Sequence, residues 1–233
     1  MTTAQYFERR SELETYFDRT AVAAWTRLTS DAPVGRIRAT VRAGRDEMRQ
    51  TLLSWLPQDL RGARLLDAGC GTGALSIDVA RRGADVVAVD LSPSLVEIAS
   101  GRLPVDISPR AIRFVAGDML DPTLGKFDFV VAMDSVIHYR PTDVLRIFAG
   151  LATRTLQSLL VTFAPRTPAL ALMHTVGRAF PRENRAPAIE PITEQYLKRL
   201  IIEHPDLEEW SFGRSRRVAS GFYKSHALEL LRR

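Results

Sequence analysis

From residue 64 onward, short apolar runs alternate with segments of helical periodicity. Five runs rich in Val, Ile, Leu and Phe are bounded by Gly, Asp or Pro, at 65–68, 86–89, 112–115, 127–133 and 159–163. Runs that are polar on neither face are typical of parallel strands covered by helices on both sides. Helical patterns lie between them at 74–82, 93–103 and 142–153. This order predicts an α/β fold with a doubly wound, mostly parallel open sheet.

The segments that flank this core differ from it. Before the core, apolar residues at helical spacing form one stripe over residues 6–28 and a second over 37–56, which predicts two helices. After it we expect a proline-rich insertion at about 165–191, a helix at 193–202 and two more strands near 210–217 and 221–230. We therefore predict a helical extension or lid over residues 1–60, and a domain over 61–233 that carries the insertion as a second part of the lid.

Composition indicates an ordinary folded chain with an excess of arginine. In 233 residues, 45% are hydrophobic and 25% are charged, which excludes a disordered, collagen-like or coiled-coil protein. The net charge is +5, and only three of the 32 basic residues are lysines. Guanidinium groups pair with carboxylates and phosphates, although high arginine also follows from base composition. Four arginines lie opposite the second apolar stripe, and we expect them to be solvated: Arg38, Arg42, Arg45 and Arg49.

Cysteine use and the chain start bear on the compartment. The single cysteine, Cys70, excludes an intrachain disulfide and a multi-cysteine metal site. Glu8, Arg9 and Arg10 lie where a signal peptide needs an apolar core, and no uncharged stretch is long enough to span a bilayer. These features predict a protein of the reducing cytoplasm.

The strongest chemical signal is the glycine-rich turn after the first predicted strand. In Asp67-Ala-Gly69-Cys-Gly71-Thr-Gly73, a strand leads through glycines into a helix, so the backbone can approach a ligand closely. Gly69, Gly71 and the alanine at 74 also satisfy a loose dinucleotide fingerprint. The acid at 67 would repel a pyrophosphate but attract a cation. This favours a cationic ligand, such as the ammonium and sulfonium groups of S-adenosylmethionine.

Two more acids follow the next strands. Asp90 ends the second predicted strand, 21 residues after Gly69, a spacing at which a carboxylate reaches ribose hydroxyls. Asp118, in Gly117-Asp118-Met119, follows the third strand, where it can accept a hydrogen bond from an adenine amino group. Either acid alone could be a helix cap. Together with the glycine turn, they indicate a nucleoside cofactor.

Residues 64–163 resemble the class I S-adenosylmethionine-dependent methyltransferases, whose hallmark is Asp-x-Gly-x-Gly-x-Gly after the first strand. The resemblance implies a Rossmann-like sheet of seven strands. It also implies that glycine backbone meets the methionine part and that the acids hold the ribose and adenine. Cys70 is interpreted as a small turn residue rather than a nucleophile. The implied cofactor-binding residues are Asp67, Gly69, Gly71, Gly73, Asp90, Leu91, Asp118, Met119 and Met133.

Segments outside this shared region resemble the magnesium-protoporphyrin IX methyltransferases of (bacterio)chlorophyll synthesis. They are residues 16–20 with Trp25, and residues 37–45, 133–139, 162–168 and 220–223, so the resemblance spans nearly the whole chain. It implies methyl transfer from S-adenosylmethionine to one propionate of magnesium protoporphyrin IX, with S-adenosylhomocysteine as the product and magnesium present only in the substrate. One position departs: relatives from oxygenic phototrophs carry a tyrosine shortly after Trp25, where this chain has Thr29. The match is therefore nearer the purple-bacterial branch.

The resemblance also implies roles for particular side chains and partners. His138, just past the fourth predicted strand, would act at the active site, either by orienting the propionate or by taking up a proton. A propionate with a pKa of about 4.3 is already ionised at neutral pH and needs no strong base. The implied partners are the large porphyrin-binding subunit of magnesium chelatase and, peripherally, the photosynthetic membrane. Five residues are expected to bind the substrate: Tyr16, Trp25, Arg166, His174 and Arg182.

Two other activities remain open at this stage. One is a methyltransferase for a different acceptor, such as a quinone or a nucleic acid, and the other is a nicotinamide dehydrogenase. Asp67 and the Gly117-Asp118-Met119 step disfavour the dehydrogenase. The arginines are dispersed along the chain, and this argues against nucleic-acid binding.

Overall fold

The computed structural model describes residues 3–30, 32–166 and 187–233. Seven strands form one sheet: β1 (Arg64–Ala68), β2 (Asp85–Asp90), β3 (Ile112–Ala116), β4 (Phe127–Ala132), β5 (Thr155–Phe163), β6 (Trp210–Ser220) and β7 (Tyr223–Arg232). Their order across the sheet is β3-β2-β1-β4-β5-β7-β6. The first five strands pair in parallel, whereas β7 runs antiparallel to both β5 and β6. The predicted fold class is confirmed.

Helices cover both faces of this sheet. They are α1 (Thr3–Thr15), α2 (Val22–Leu28), α3 (Arg36–Trp55), α4 (Ala74–Arg81), α5 (Pro93–Gly101), α6 (Pro141–Ala152) and α7 (Glu194–Ile202), with short 3-10 turns at Pro122–Leu124 and Pro205–Leu207. From α4 onward, each helix end lies within two residues of its predicted position. Ser92 caps α5 as expected, because its side chain accepts a hydrogen bond from the Leu95 N–H and Pro93 occupies the first turn.

The prediction of two N-terminal helices is wrong. A five-residue π-helical turn, Tyr16–Thr20, separates α1 from α2, and the Ala21 N–H donates to the Tyr16 carbonyl across it. Three helices therefore precede the sheet. A π-helical turn holds one residue more than an α-helical turn, so it changes the direction of the apolar side chains. The apolar residues still recur through the turn, and the sequence pattern therefore does not reveal the break.

Strand β5 also differs from its prediction, since it begins at Thr155 rather than at 159. Thr155 and Ser158 are buried, and the Thr155 hydroxyl donates to the Leu151 carbonyl. Buried hydroxyls with hydrogen-bond partners extend a core strand beyond its apolar run. Of the predicted insertion, residues 167–186 lie outside the described residues.

The apolar core consists of two layers, one on each face of the sheet. Side chains alternate along β1, so Leu65 packs in the layer under α3 and α4, and Leu66 packs in the layer under α6 and α1. Met48 and Leu52 of α3 are completely buried in the first layer. A boundary at residue 60 between an extension and a second domain stays a prediction, but α3 contributes to the same core as the sheet.

Gly44 makes close packing of α3 against β7 possible, and this generates a prediction. A Cβ at this position would lie 2.5–2.8 Å from three atoms of the Tyr223 side chain. Removing a helix glycine contributes about 1 kcal/mol of stability, whereas overpacking costs about 1–3 kcal/mol. We therefore expect Gly44→Ala to lower the free energy of unfolding in urea. Gly101→Ala is the control, since no atom lies within 4 Å of its Cβ, and it should leave stability unchanged or raise it. Equal effects of the two substitutions would contradict this packing argument.

Candidate active site

Three adjoining cavities lie at the carboxyl ends of the parallel strands, where open α/β sheets bind ligands. Cavity A is lined by the glycine turn, the end of β2, and Leu91, Gly117, Met119 and Met133. Cavity B has a volume of about 250 Å³ and lies between the same turn and α3. Cavity C has a volume of about 460 Å³ and a mainly apolar wall that includes Tyr16, Val41, Ile137 and Phe222.

The glycine turn is fixed by β2. The N–H groups of Gly69 and Cys70 both donate to the Val89 carbonyl, and the Gly71 N–H donates to Asp90 Oδ2 at 2.8 Å. Gly69 and Gly71 have φ values of 89° and 53°, in the left-handed region that favours glycine. Both glycines line cavities A and B, as their predicted role requires.

Gly73 has a packing role at the start of α4. It has a φ of 82°, and a Cβ there would lie 3.1 Å from the Ala99 Cβ and 3.4 Å from the Phe114 ring. It is not among the residues that line cavity A or cavity B. Gly73 thus allows α4 to begin close against α5, and its predicted contact with the ligand stays a prediction.

Two carboxylates lie beneath the turn: Asp67 is buried and Asp90 is half-buried. The Ser76 hydroxyl donates to Asp67 at 2.6 Å, and burial raises the pKa of Asp67 to about 7. Asp90 lines cavity A, and burial raises its pKa as well, although the N–H groups of Gly71 and Ser92 donate to it. Neither acid has a cationic side-chain partner among the described residues. A ligand that brings positive charge and hydroxyl donors would stabilise both ionised acids.

These groups fit S-adenosylmethionine. Its sulfonium and ammonium groups are cations, and a cationic partner is what the two acids lack among the described residues. Its ribose hydroxyls can donate to Asp90. Ser135 supplies a further sign, because its buried Oγ has no hydrogen-bond partner in the described part of the chain, and it lines cavity A. A polar atom in this position is available to a ligand.

Asp118 is engaged elsewhere. Its carboxylate accepts hydrogen bonds from Arg10 at 2.8 Å, from the Tyr6 hydroxyl at 3.2 Å and from the Leu120 N–H at 2.9 Å. Its neighbours Gly117 and Met119 line cavity A, but Asp118 is not among the lining residues. The acid therefore attaches α1 to the end of β3, and its predicted contact with adenine stays a prediction.

Cavities A and C meet at a shared set of side chains. Both are lined by Phe17, Trp25, Arg45, Asp134 and His138, which we call the junction. Two edge-on aromatic contacts order it, because the Phe17 ring lies 5.9 Å from Trp25 and 5.2 Å from Tyr16. A ligand in the apolar cavity can thus meet one in the cofactor cavity only past these groups.

His138 lies at the junction, with a hydrogen-bond partner for one ring nitrogen. Its Nδ1 is 3.3 Å from the carbonyl oxygen of Ala188, and we assign the proton to Nδ1 because a carbonyl can only accept. In the neutral ring, Nε2 therefore carries the lone pair. Burial is the main cause that lowers the pKa of His138, so the ring is neutral at pH 7.

The predicted substrate-binding residues divide into three groups. Tyr16 and Trp25 line cavity C, in agreement with their predicted position. Arg166 is exposed, and its backbone N–H donates to the Ile192 carbonyl. His174 and Arg182 lie outside the described residues. Burial raises the pKa of the Cys70 thiol well above its usual value, which supports its interpretation as a turn residue.

Two junction residues were missed by sequence reasoning. Asp134 lies two residues after the end of β4, and Arg45 of α3 donates to it at 2.7 Å. An acid just after a buried strand is the same signal that identified Asp90, and it would have found Asp134. The expected solvation of the α3 arginines holds for the exposed Arg38. It is wrong for Arg45, for Arg42, which donates to three backbone carbonyls, and for Arg49, which is paired with two acids.

The comparisons agree with this site. Two family models match: a methyltransferase domain over residues 65–158, and the C-terminus of magnesium-protoporphyrin IX methyltransferase over residues 132–232. The magnesium-protoporphyrin O-methyltransferase of Rhodobacter capsulatus is 48% identical over 97% of this chain and 98% of its own length. The crystal structure of magnesium protoporphyrin IX methyltransferase from Synechocystis with bound S-adenosylhomocysteine matches with a TM-score of 0.84 and 27% identity, covering 96% of this chain and 100% of that one.

Fold and site together define a class I S-adenosylmethionine-dependent methyltransferase. Within that class, the chain belongs to the magnesium-protoporphyrin O-methyltransferase family. This membership excludes the nicotinamide dehydrogenase that the loose glycine fingerprint left open. Among the described residues, no helix is long and apolar enough to cross a membrane, and no three metal-binding side chains come together.

A first prediction from this site concerns Asp90. We expect Asp90→Ala to weaken binding of S-adenosylhomocysteine by about 1–3 kcal/mol, the range for losing hydrogen bonds to a charged group. Isothermal titration calorimetry measures this directly. Asp85→Ala is the matched control at the opposite, exposed end of β2 and should bind like the unsubstituted protein. Unchanged affinity in a folded Asp90→Ala variant would remove Asp90 from the binding site.

A second prediction uses the raised pKa of Asp67. The folded value of about 7 exceeds the unfolded value of about 3.9, so the unfolded chain loses this proton first as pH rises. The acid's contribution to stability is complete below about pH 4 and is lost by about pH 7. Relative to Asp67→Asn, the unsubstituted protein should therefore lose on the order of 2 kcal/mol between pH 5 and pH 8 in urea unfolding. Parallel stability profiles for the two proteins would contradict the buried, proton-binding state of Asp67.

Proposed function

We propose that this chain transfers the methyl group of S-adenosylmethionine to a propionate carboxylate of magnesium protoporphyrin IX, which gives the monomethyl ester and S-adenosylhomocysteine in (bacterio)chlorophyll biosynthesis. One observation carries the proposal: a cofactor cavity and a wide apolar cavity share a junction that holds a neutral histidine. An apolar macrocycle fits cavity C, whose volume lies within the usual 300–1,000 Å³ or so of ligand pockets. A carboxyl group on its edge can reach the junction.

Water exclusion is the first contribution of the protein. When bound, S-adenosylmethionine supplies the methyl group on a positively charged sulfur. Phe17 and Trp25 form an apolar wall at the junction and remove water from an incoming carboxylate. A carboxylate with less hydration is a better nucleophile, and fixing it against the methyl carbon contributes several kcal/mol through proximity.

We infer that His138 acts as a proton acceptor. The propionate arrives ionised, but burial in an apolar cavity raises its pKa, so part of the bound substrate takes up a proton and becomes the neutral acid. The Nε2 lone pair of the neutral ring takes that proton, while Nδ1 stays hydrogen-bonded to Ala188 and fixes the ring. Since a carboxylic acid is far more acidic than an alcohol, a weak base is sufficient. The alternative is that His138 only orients the carboxylate, which requires a proton on Nε2.

The rim of cavity C is the proposed surface for delivery of the porphyrin. At the mouth of cavity C, Ile37 and Phe222 are 57% and 49% exposed, and Arg38 and Lys224 also line this cavity. This apolar and cationic rim supports delivery of the porphyrin from the large subunit of magnesium chelatase at this face. A cytoplasmic location with peripheral contact to the photosynthetic membrane stays a prediction.

The function is tested by incubation with S-adenosylmethionine and magnesium protoporphyrin IX, with mass measurement of the pigment. Gain of a single methyl group is the expected result. A pigment of unchanged mass, under conditions in which S-adenosylhomocysteine binds the protein, would favour a methyltransferase for another acceptor.

The role of His138 makes a separate prediction. We expect His138→Ala to lower kcat by about 10²–10⁴-fold, the range for removal of a general base. Because burial lowers the pKa of His138, the unsubstituted enzyme should lose activity on the acid side below about pH 6.5, where the ring becomes protonated. This limb should be absent from the variant. His204→Ala, which alters the cap of a distant 3-10 turn, is the control and should keep full activity. A loss smaller than about tenfold, with an unchanged pH profile, would reduce His138 to a packing role.

A further inference from the structure

The arginines along one side of α3 differ in how completely they are paired. Arg42 donates to the carbonyls of Arg27, Leu28 and Ala32, and thereby holds the end of α2. Arg49 forms ion pairs with both Asp46 and Asp78. These two arginines are structural, because their partners account for the direction of each guanidinium.

Arg45 lies between them and is only partly paired. A guanidinium has five N–H donors, and among the described residues only Nη1 has an acceptor, Asp134 Oδ2 at 2.7 Å. The group lies 4.7 Å from the centroid of the Trp25 ring, which it covers. Arg45 lines all three cavities and is 20% exposed. Its remaining donors therefore have no partner in the described part of the chain, although they lie where ligands must bind.

Asp134 is held in a strained conformation by several neighbours. Its φ of 55° lies in the left-handed region, a conformation that costs a residue other than glycine about 1–3 kcal/mol and persists only where the surroundings enforce it. The hydroxyls of Thr162, Tyr223 and Ser225 all donate to its carboxylate, and its own N–H donates to Thr162. With only 5% of its side chain exposed, this acid fixes the position of Arg45.

We propose that Arg45 is a carboxylate-binding residue at the junction and that Asp134 is its positioning residue. A planar guanidinium that is fixed by an acid on one edge and an aromatic ring on one face presents its other donors in a geometry that matches a carboxylate. The inference rests on the proposed function, since both of its substrates carry carboxylates: the amino-acid end of S-adenosylmethionine and the propionates of the porphyrin. The two sources share the same chemistry, and the binding test separates them.

Pairs of ligands with and without the carboxylate provide the test. S-adenosylhomocysteine is compared with 5′-methylthioadenosine, which lacks the amino-acid carboxylate, and magnesium protoporphyrin IX is compared with its dimethyl ester. We expect Arg45→Met to lower the binding affinity for one of the two carboxylate ligands by about 10- to 100-fold. The affinity for its carboxylate-free counterpart should fall by much less. Arg45→Lys keeps the charge but not the planar guanidinium. Its affinity for the carboxylate ligand should lie between those of Arg45→Met and the unsubstituted protein. This variant also provides the test if Arg45→Met does not fold. Selective loss for the first pair assigns Arg45 to the cofactor, and selective loss for the second pair assigns it to the propionate.

Positioning by Asp134 is tested separately. Asparagine tolerates the left-handed region, so Asp134→Asn keeps the backbone and the shape but removes the charge that holds Arg45. We expect this variant to lower the affinity for the same carboxylate ligand. The double variant with Arg45→Met should bind that ligand no worse than Arg45→Met alone, because both substitutions remove the same interaction. Arg81→Met, which breaks the exposed pair with Asp106, is the control and should bind both ligands normally.

Equal weakening of both members of each pair, or no weakening of either, would overturn the assignment of Arg45. Additive effects of the two substitutions would overturn the positioning role of Asp134. If the unsubstituted protein binds neither S-adenosylhomocysteine nor the porphyrin, the proposed function fails and the inference about Arg45 fails with it. Binding by the unsubstituted protein together with an unselective Arg45→Met variant contradicts the inference alone.

Discussion

The buried carboxylate of Asp134 ties together the elements that enclose all three cavities. Arg45 connects it to α3, Thr162 connects it to β5, and Tyr223 connects it to β7. A buried charge is costly unless it is paired and hydrogen-bonded, so none of these elements can move away without leaving the acid uncompensated. Burial is also the main cause that raises the pKa of Tyr223, which keeps its hydroxyl protonated as a donor. The junction is thus a fixed part of the scaffold.

The attachments of α1 and the π-helical turn are of a weaker kind. Asp118 accepts from Arg10 where both side chains are partly exposed, and Asp18 accepts from Ser92 and Ser94 at the start of α5. Ion pairs in partly exposed positions contribute only about 0–1 kcal/mol each. The polar attachments of this segment are thus weaker than those of α3, although Tyr6 and Leu13 of α1 are buried in the apolar core.

What the sequence could predict follows from how local each signal is. The five parallel strands and the glycine turn at Gly69 were predictable because buried strands and positive-φ turns demand particular residues in a short stretch. The packing role of Gly73 was not predictable, since it depends on how closely α5 packs against α4. The importance of Arg45 was hidden for the same reason. Its position opposite an apolar stripe is typical of a solvated arginine, and only the fold brings the end of β4 beneath it.

The charges at the junction constrain how a propionate can react there. A guanidinium that bound the reacting carboxylate in bidentate form would hold it well but lower its nucleophilicity. Asp134 already takes part of the charge of Arg45, and His138 is neutral, so the reacting oxygen meets no unbalanced cation from the described residues. Without Arg45, however, the charge of Asp134 would repel an incoming carboxylate. The Arg45–Asp134 ion pair therefore allows an anionic substrate to approach a site whose other acids favour a cationic methyl donor.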